Sequence, residues 1–275
     1  KAEVNMKSNS RTLVNIIGVP LLLFIIYLGG MYFTSLIFFA IFVSIKEMTD
    51  ICKKIDLKVQ YFLLNLFCIL LYISHIFSIN DMIYNMELFF LIVIIFCISE
   101  LFRKSKKPIQ NISISLFTFF WVILFFNSII LVRNNFGMEI TLLMFLAIWI
   151  CDTFAYFGGK TYGKRKIFPS ISPNKTWEGS ISGFIFTSIF ILFIINSNIK
   201  NIDLINPSFM NFIVLSFIFG IISQAGDAIE SMIKRQANVK DSGTILQGHG
   251  GILDRMDSML IVSPCFYIFL KYLIN

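Results

Sequence analysis

Charged residues are scarce in this sequence: Asp, Glu, Lys and Arg make up 14% of its 275 residues, and hydrophobic residues make up 57%. A water-soluble globular domain does not need so much apolar surface, and long uncharged apolar runs are typical of membrane proteins. In a membrane protein the positions of the charges matter more than their sum, so the net charge of +7 does not indicate a nucleic-acid partner. The composition therefore predicts an integral membrane protein.

Patterned cysteines are also lacking. The five cysteines form no C-x-x-C pair and show no zinc-ligand spacing. Four of them lie in or beside apolar segments, where cysteine usually acts as a small buried hydrophobe. Cys151 adjoins Asp152, but a structural role is favoured there too. The sequence predicts neither a disulfide framework nor a zinc site.

Nine apolar stretches are long enough to cross a hydrocarbon core of about 30 Å, which takes roughly 17–25 helical residues. They run over 12–28, 31–45, 60–78, 87–102, 112–132, 139–158, 181–197, 209–225 and 258–274. The first stretch follows a basic start and resembles a signal peptide, but no small-residue cleavage site follows it. We therefore expect a retained first helix that forms a tight hairpin with the second.

The basic residues alternate with these stretches. If the N-terminus is cytoplasmic, 20 of the 23 Lys and Arg residues fall on the cytoplasmic side and 3 on the opposite side. The positive-inside rule thus predicts an all-α integral membrane protein with about nine transmembrane helices, N-in and C-out. Residues 1–138 are expected to anchor the chain and residues 139–275 to form the catalytic region. The cell (inner) membrane is the expected location, with polar loops 159–180 and 226–257 facing the cytoplasm.

The segment 226–258 concentrates charge in this apolar chain. It holds five carboxylates among four basic residues, together with the glycines of Gly248-His249-Gly250-Gly251. Charge beside a bilayer is energetically expensive, so a cluster this dense is more consistent with chemistry than with folding alone. This segment is the predicted active site.

Two carboxylate pairs flank the glycine-rich part of the segment. Asp227 and Glu230 are spaced i, i+3, and Ser231 and Lys234 continue the same helix face. Asp254 and Asp257 repeat the spacing at the start of the last apolar stretch. An all-oxygen ligand set suits a hard cation such as Mg²⁺. The alternative is a set of helix-end salt bridges, for instance Glu230 with Lys234 and Asp254 at a helix N-terminus.

Phosphate binding is indicated by the residues between the two pairs. Glycines let backbone N–H groups approach phosphate oxygens, and nearby cations supply counter-charge. His249 either donates to a phosphate or leaving group, or holds the glycine turn in place. The candidate phosphate-contacting cations of this segment are Lys234, Arg235, Lys240 and Arg255.

An upstream segment shows the same character. Asp152 lies inside an apolar helix, where an ionisable group is a functional candidate by default. The run Ser172–Gly179 adds hydrogen-bonding side chains, including Asn174, and one cation, Lys175. Trp177 either stacks on a base or belongs to the interfacial aromatic belt, and the belt is favoured.

The run S-M-I-K-R-Q-A-N-V-K-D-S-G-T-I-L-Q-G-H-G-G-I-L-D-R-M-D resembles the signature of the phosphatidate cytidylyltransferases, or CDP-diacylglycerol synthases. The I-S-P-N-K-T-W-E-G and D-T-x-A-Y-x-x-G-x-x-x-G stretches resemble that family too. The resemblance covers roughly 150–258, and the N-terminal half matches only in hydrophobic character. Phe154 and Gln247 depart from the pattern where Gly and Pro are usual, without removing a charged group.

The resemblance implies transfer of CMP from CTP to phosphatidic acid, with pyrophosphate as the second product. It also implies Mg²⁺, leaving a second cation open, and suggests a homodimer in contact with membrane lipids. The expected metal ligands are Asp227, Glu230, Asp254 and Asp257. The expected catalytic residues are Asp227, Lys234, Arg235, Lys240, His249, Asp254 and Arg255. The expected substrate contacts are Asp152, Asn174, Lys175, Ser231, Gly248, Gly250 and Gly251.

Two alternative functions use the same residue types. Another CTP-dependent lipid enzyme, such as a polyprenol kinase, needs the same cations and metal but transfers a different group. A secondary transporter or channel uses membrane carboxylates as ion sites. A transport pathway needs polar groups through the midplane, whereas these carboxylates concentrate at one predicted membrane face among basic residues. That distribution favours the nucleotidyl transfer.

Overall fold

The computed structural model describes residues 17–77, 86–197, 199, 205, 207–245 and 250–273. Most of these residues are helical, in agreement with the predicted helical membrane protein. The helices are α1 (Ile17–Leu28), α2 (Gly30–Lys53), α3 (Tyr61–Ile76), α4 (Met86–Arg103), α5 (Pro108–Thr118), α6 (Phe125–Tyr162), α7 (Trp177–Ile195), α8 (Phe209–Phe217), α9 (Ser223–Gln236) and α10 (Leu253–Leu273).

Each predicted apolar stretch coincides with helix in the described part of the chain. Among the described residues, three helical segments are long and apolar enough to cross a membrane: Pro108–Tyr162, Trp177–Ile195 and Phe209–Gln236. The count of nine spans and their orientation stay predictions. The tight connection expected between the first two stretches is observed, because only Gly29, with φ of 61°, separates α1 from α2.

The segment Pro108–Tyr162 contains two predicted spans. Straight, its 55 residues would reach about 80 Å at 1.5 Å per residue, far beyond a membrane core. Gly137, with φ of 89° and ψ of −176°, breaks the helical path. Glycine adopts this conformation without a Cβ clash. The predicted spans 112–132 and 139–158 lie on opposite sides of the break at Gly137.

A small antiparallel hairpin interrupts the helices. It consists of β1 (Lys166–Phe168) and β2 (Ser172–Thr176), where the sequence predicted only a polar loop. The Glu178 carboxylate accepts backbone N–H bonds from Lys164 and Arg165, which fixes the chain entering the hairpin at the first turn of α7. The hairpin could not be predicted from the sequence, because neither strand shows the alternation of apolar and polar residues that is typical of a β-strand.

Glycines allow the helices around the hairpin to pack closely. A Cβ at Gly179 would lie 2.6 Å from the carbonyl oxygen of Ala155, at the contact of α7 with α6. A Cβ at Gly226 would lie 2.7 Å from the carbonyl oxygen of Asp257, at the contact of α9 with α10. Small residues at such positions let helix backbones approach. The close contact at Gly226 places the two carboxylate pairs beside each other.

Replacing Gly226 with alanine should destabilise the fold. Alanine ordinarily stabilises a helix interior relative to glycine by about 1 kcal/mol, but here the added methyl group meets α10. Overpacking of this kind costs about 1–3 kcal/mol. We expect the thermal unfolding midpoint of Gly226→Ala in detergent to fall by several degrees.

Gly18→Ala is the matched control, since an added Cβ there would meet no atom within 4 Å. Its unfolding midpoint should stay at or slightly above that of the wild type. Equal midpoints for the Gly18 and Gly226 variants would show that the α9–α10 contact does not require glycine.

Candidate active site

A cavity of about 1000 Å³ opens between the hairpin and helices α1, α6, α9 and α10. Four carboxylates and four cationic side chains line it. The carboxylates belong to Asp152, Asp227, Asp254 and Asp257. The cations belong to Lys160, Lys166, Lys175 and Arg255. The cavity therefore brings together both predicted segments, and its lining carries as many formal negative as positive charges.

The remainder of the cavity wall is largely apolar. Helix α1 contributes Val19 and Leu22, and α6 contributes Phe145, Ile148 and Trp149. A cavity lined by both apolar and charged side chains suits an amphiphilic ligand. No site role was predicted for the first apolar stretch, so the contribution of α1 to this wall is a structural finding.

Lys175 and Asp227 form an ion pair at the cavity. Lys175 Nζ lies 2.8 Å from Asp227 Oδ2 and also donates to the carbonyl oxygen of Gln224 at 3.1 Å. Ser231 Oγ donates to Asp227 Oδ1 at 3.2 Å, which confirms that these two side chains share a helix face. Both charged side chains of the pair keep partial solvent exposure, 22% for Lys175 and 36% for Asp227. The pair is thus accessible to a ligand.

A second charge cluster, here called the Lys234 cluster, consists of Glu230, Lys234 and Asp254. Lys234 Nζ lies 2.6 Å from Asp254 Oδ1 and 3.1 Å from Glu230 Oε1. All three side chains are nearly buried, and neither Glu230 oxygen accepts a hydrogen bond of good geometry. The predicted alternative of helix-end salt bridges is therefore present in the structure. In this structure the Lys234 ammonium contacts two carboxylates. Its predicted contact with a phosphate stays a prediction.

Asp254 also organises the backbone at the start of α10. Its Oδ2 accepts hydrogen bonds from Ser242 N at 2.8 Å and from Gly251 N at 2.7 Å. Burial by itself raises the pKa of Asp254, but the hydrogen bond and charge of Lys234 and the two backbone donors outweigh it and hold the pKa below its usual value. Asp254 is consequently an ionised carboxylate whose two oxygens are both occupied by donors.

Asp257 lies among like charges. Burial raises the pKa of its carboxyl, and repulsion by Asp227 and Asp152 raises it further. A bound cation would relieve this repulsion, and carboxylate oxygens are the ligands that Mg²⁺ prefers. Within the described ranges no three Asp, Glu, His or Cys side chains already converge as a metal site. The donor chemistry fits a divalent cation, and the carboxylates of Asp152, Asp227 and Asp257 all line the cavity in which it would bind.

The other predicted residues occupy varied positions. Asn174 and Arg255 line the cavity. Arg235 donates to the carbonyl oxygens of Ile171 and Val239, at 3.1 and 2.8 Å, and so connects α9 to the hairpin. Lys240 is exposed outside the cavity lining. Gly248 and His249 lie outside the described residues.

The glycines at the start of α10 surround carboxylates. Gly250 has φ of 83°, and an added Cβ there would collide with Asp254 Oδ2. An added Cβ at Gly251 would collide with Ser242 Oγ and with Glu47 Oε1. The predicted contact of these glycines with phosphate stays a prediction. What the structure shows is that their missing side chains make room for two carboxylate groups.

Three residues at or beside the cavity were not predicted from the sequence. Lys160 and Lys166 line the cavity, although the sequence pattern gave no reason to separate them from neighbouring basic residues. Glu47 lies just after the predicted span 31–45 and was not among the predicted site residues, but it is 4% exposed and contacts the start of α10. The sequence did contain an indication, because Glu47 lies just after an apolar stretch and a charged side chain beside a bilayer is costly unless it has a role.

Known proteins resemble this chain, two of the three described here along almost its whole length. A phosphatidate cytidylyltransferase of Bacillus subtilis (strain 168) is 31% identical over 271 residues, covering 97% of this chain and 98% of the relative. One of Staphylococcus haemolyticus (strain JCSC1435) is 35% identical over 270 residues, covering 94% and 98%. One of Haemophilus influenzae is 38% identical over 172 residues, covering 60% and 58%.

The profile of the cytidylyltransferase family matches residues 9–273. The resemblance predicted over roughly 150–258 is thus confirmed, and it extends through the N-terminal half. The chain belongs to the cytidylyltransferase family.

Proposed function

We propose that this protein is a phosphatidate cytidylyltransferase, which transfers CMP from CTP to phosphatidic acid and releases pyrophosphate. The observation that carries the proposal is the cavity, in which four carboxylates and four cations adjoin an apolar wall. Two relatives that are named phosphatidate cytidylyltransferase match the chain over nearly its full length. A lining that combines apolar and charged side chains fits a lipid phosphate and a nucleotide at one site.

The reaction requires no nucleophile from the protein. An oxygen of the phosphatidate phosphate forms a bond to the α-phosphorus of CTP, and the bond from that phosphorus to the bridging α–β oxygen breaks. Pyrophosphate carries the electron pair away. The protein has to hold two anions in line and stabilise the charge that develops on the leaving group.

The cavity cations supply part of that stabilisation. Lys160, Lys166, Lys175 and Arg255 line the space in which the phosphates would bind. Lys175 is also paired with Asp227, so it is held in one orientation before substrate arrives. Fixed cations stabilise developing charge without reorganising during the reaction.

The described side chains that line the cavity sum to zero formal charge, whereas a nucleoside triphosphate and a lipid phosphate are both strongly anionic. We propose that Mg²⁺ supplies additional positive charge, with Asp152, Asp227 and Asp257 as its carboxylate ligands. When bound, the cation would neutralise phosphate charge and orient the leaving group. The other two expected metal ligands, Asp254 and Glu230, both contact Lys234, and Asp254 also lines the cavity.

Lipid access is proposed to occur from the side. The apolar wall formed by α1 and α6 would receive the glycerol end of phosphatidic acid while the acyl chains stay in the bilayer. The positive-inside distribution supports nine spans with this cavity on the cytoplasmic side, where CTP is available. The homodimer suggested by the family resemblance stays a prediction.

The first test distinguishes nucleotidyl transfer from phosphorylation. Purified protein in detergent is given phosphatidic acid, Mg²⁺ and CTP labelled at either the α- or the γ-phosphate. We expect label to enter the lipid only from the α-position, because that phosphorus is the one attacked. Chelation with EDTA should abolish the transfer, and added Mg²⁺ should restore it.

Label entering the lipid from the γ-phosphate alone would identify a lipid kinase instead. Transfer that continues at full rate in EDTA would contradict the metal proposal while leaving nucleotidyl transfer intact. Absence of transfer from either position, with protein shown to be folded, would contradict the proposed function.

The two charge clusters should respond differently to substitution. Asp227→Asn removes a cavity-facing charge and should lower kcat at least 100-fold with little change in thermal stability. Lys234→Ala leaves Glu230 and Asp254 buried without their cation, and breaking a buried pair in this way typically costs about 3–5 kcal/mol. That variant should therefore lose both activity and stability, measured by turnover and by thermal unfolding.

Lys240→Ala is the stability control for removal of a positive charge, because this side chain is exposed. Its unfolding midpoint should match that of the wild type. A Lys234→Ala variant as stable as Lys240→Ala would show that the Lys234 cluster does not hold the fold together.

A further inference from the structure

Glu47 reaches the start of α10 from the last turns of α2, some two hundred residues earlier in the chain. Its Oε1 accepts the backbone N–H of Ile252 at 2.9 Å, and its Oε2 accepts that of Leu253 at 3.0 Å. The hydroxyl of Ser242 lies 3.0 Å from Oε2 as well. This carboxylate is the partner of N–H groups that a helix start cannot satisfy internally.

The surroundings of Glu47 are shaped for a carboxylate. A Cβ at Gly243 would lie 2.7 Å from Glu47 Oε1, and one at Gly251 would collide with the same oxygen. Both neighbouring positions therefore have to lack a side chain for the carboxylate to reach the backbone. Since Glu47 is only 4% exposed, its desolvation has to be offset by these donors.

The N-terminus of α10 also favours a negative charge. The aligned peptide dipoles place partial positive charge at the N–H groups of the first turn, where carboxylates are stabilised. Hydrogen bonds from N–H groups to a charged acceptor are shorter and stronger than neutral ones. Glu47 thus fixes the position of the first turn of α10 relative to α2.

A short chain of contacts leads from Glu47 to the active-site charges. Ser242 Oγ lies 3.0 Å from Asp254 Oδ2 and 3.0 Å from Glu47 Oε2, so this hydroxyl adjoins both carboxylates. Asp254 in turn holds Lys234 at 2.6 Å. A displacement of the first turn of α10 would therefore move Asp254, and with it the Lys234 cluster and the neighbouring Asp257.

We propose that Glu47 is a positioning residue of the active site, acting through the first turn of α10 and through Ser242 on Asp254. The expected effect of Glu47 on turnover rests on the proposed function. It assigns to the N-terminal half of the chain a direct part in building the site. Glu47 itself is not among the described side chains that line the cavity.

The test uses the full chain in detergent with the variant Glu47→Gln, which keeps the side-chain shape but turns an amide N–H₂ toward backbone donors. We expect kcat for CMP transfer to fall about 10- to 100-fold, the usual loss when a supporting contact behind an active site is removed. KM for CTP should change less than threefold, because the binding groups remain. Hydrogen exchange should accelerate at the amides of Ile252 and Leu253.

Asp50→Asn is the matched control. Asp50 lies one turn further along α2, is exposed, and pairs with Lys53 at 2.7 Å. The substitution removes one carboxylate charge from the same helix. The described ion pair and hydrogen bond of Asp50 are with Lys53 and not with α10. Wild-type turnover and wild-type exchange at Ile252 and Leu253 are expected for this variant.

A second variant serves if Glu47→Gln does not fold. Gly243→Ala keeps the Glu47 charge and pushes its carboxylate with the added methyl group, so the same loss of kcat and the same faster exchange are expected. Wild-type kcat and exchange in either folded variant would overturn the proposal. So would a loss of turnover that matches only the loss of folded protein, with exchange at Ile252 and Leu253 unchanged.

The exchange measurement does not depend on which reaction the protein catalyses. If the wild type transferred no CMP, the proposed function would fail. Unchanged exchange at Ile252 and Leu253 in Glu47→Gln would separately overturn the positioning role, and faster exchange would support it.

Discussion

The contact of the Lys234 ammonium with Glu230 and Asp254 is the interaction on which the arrangement of this site depends. The three side chains come from two helices and are almost fully buried. An unpaired charge at this depth would be strongly destabilising, so the two helices are held in one register as long as all three are present. Asp254 then contacts Ser242 and Gly251 with its other oxygen, which extends the constraint from the helices to the loop between them.

Close helix contact is the second requirement. Gly226 allows α9 to approach the backbone of α10 at Asp257, and Gly179 allows α7 to approach α6 near Asp152. These contacts place carboxylates from α6, α9 and α10 around one cavity. The repulsion between them is a cost of the fold, and it is a cost that a divalent cation and the basic side chains of the lining can offset. The same charges that make the unliganded site unfavourable thus make it suitable for binding two phosphate-bearing substrates.

Much of this could be predicted from residue patterns. The spacing of Asp227, Ser231 and Lys234 correctly placed them on one helix, since i, i+4 neighbours face the same way in any helix. The start of α10 near Asp254 was also anticipated. The pairing of those charges was not decided by spacing: the sequence left open whether the cations contact phosphates or carboxylates. Arg235 shows the difficulty, because its guanidinium binds two backbone carbonyl groups whose positions depend on the hairpin.

The sequence by itself determined the helical membrane class and the family, because hydrophobic length, charge distribution and a long signature are properties of consecutive residues. Only the tertiary structure decided that α1 lines the cavity, that Lys160 and Lys166 belong to it, and that Glu47 binds the start of α10. Those contacts join residues far apart in the chain. Their formation depends on how the helices pack, and close packing of apolar helices is governed by shape at a few small residues, which leaves little trace in the order of amino acids.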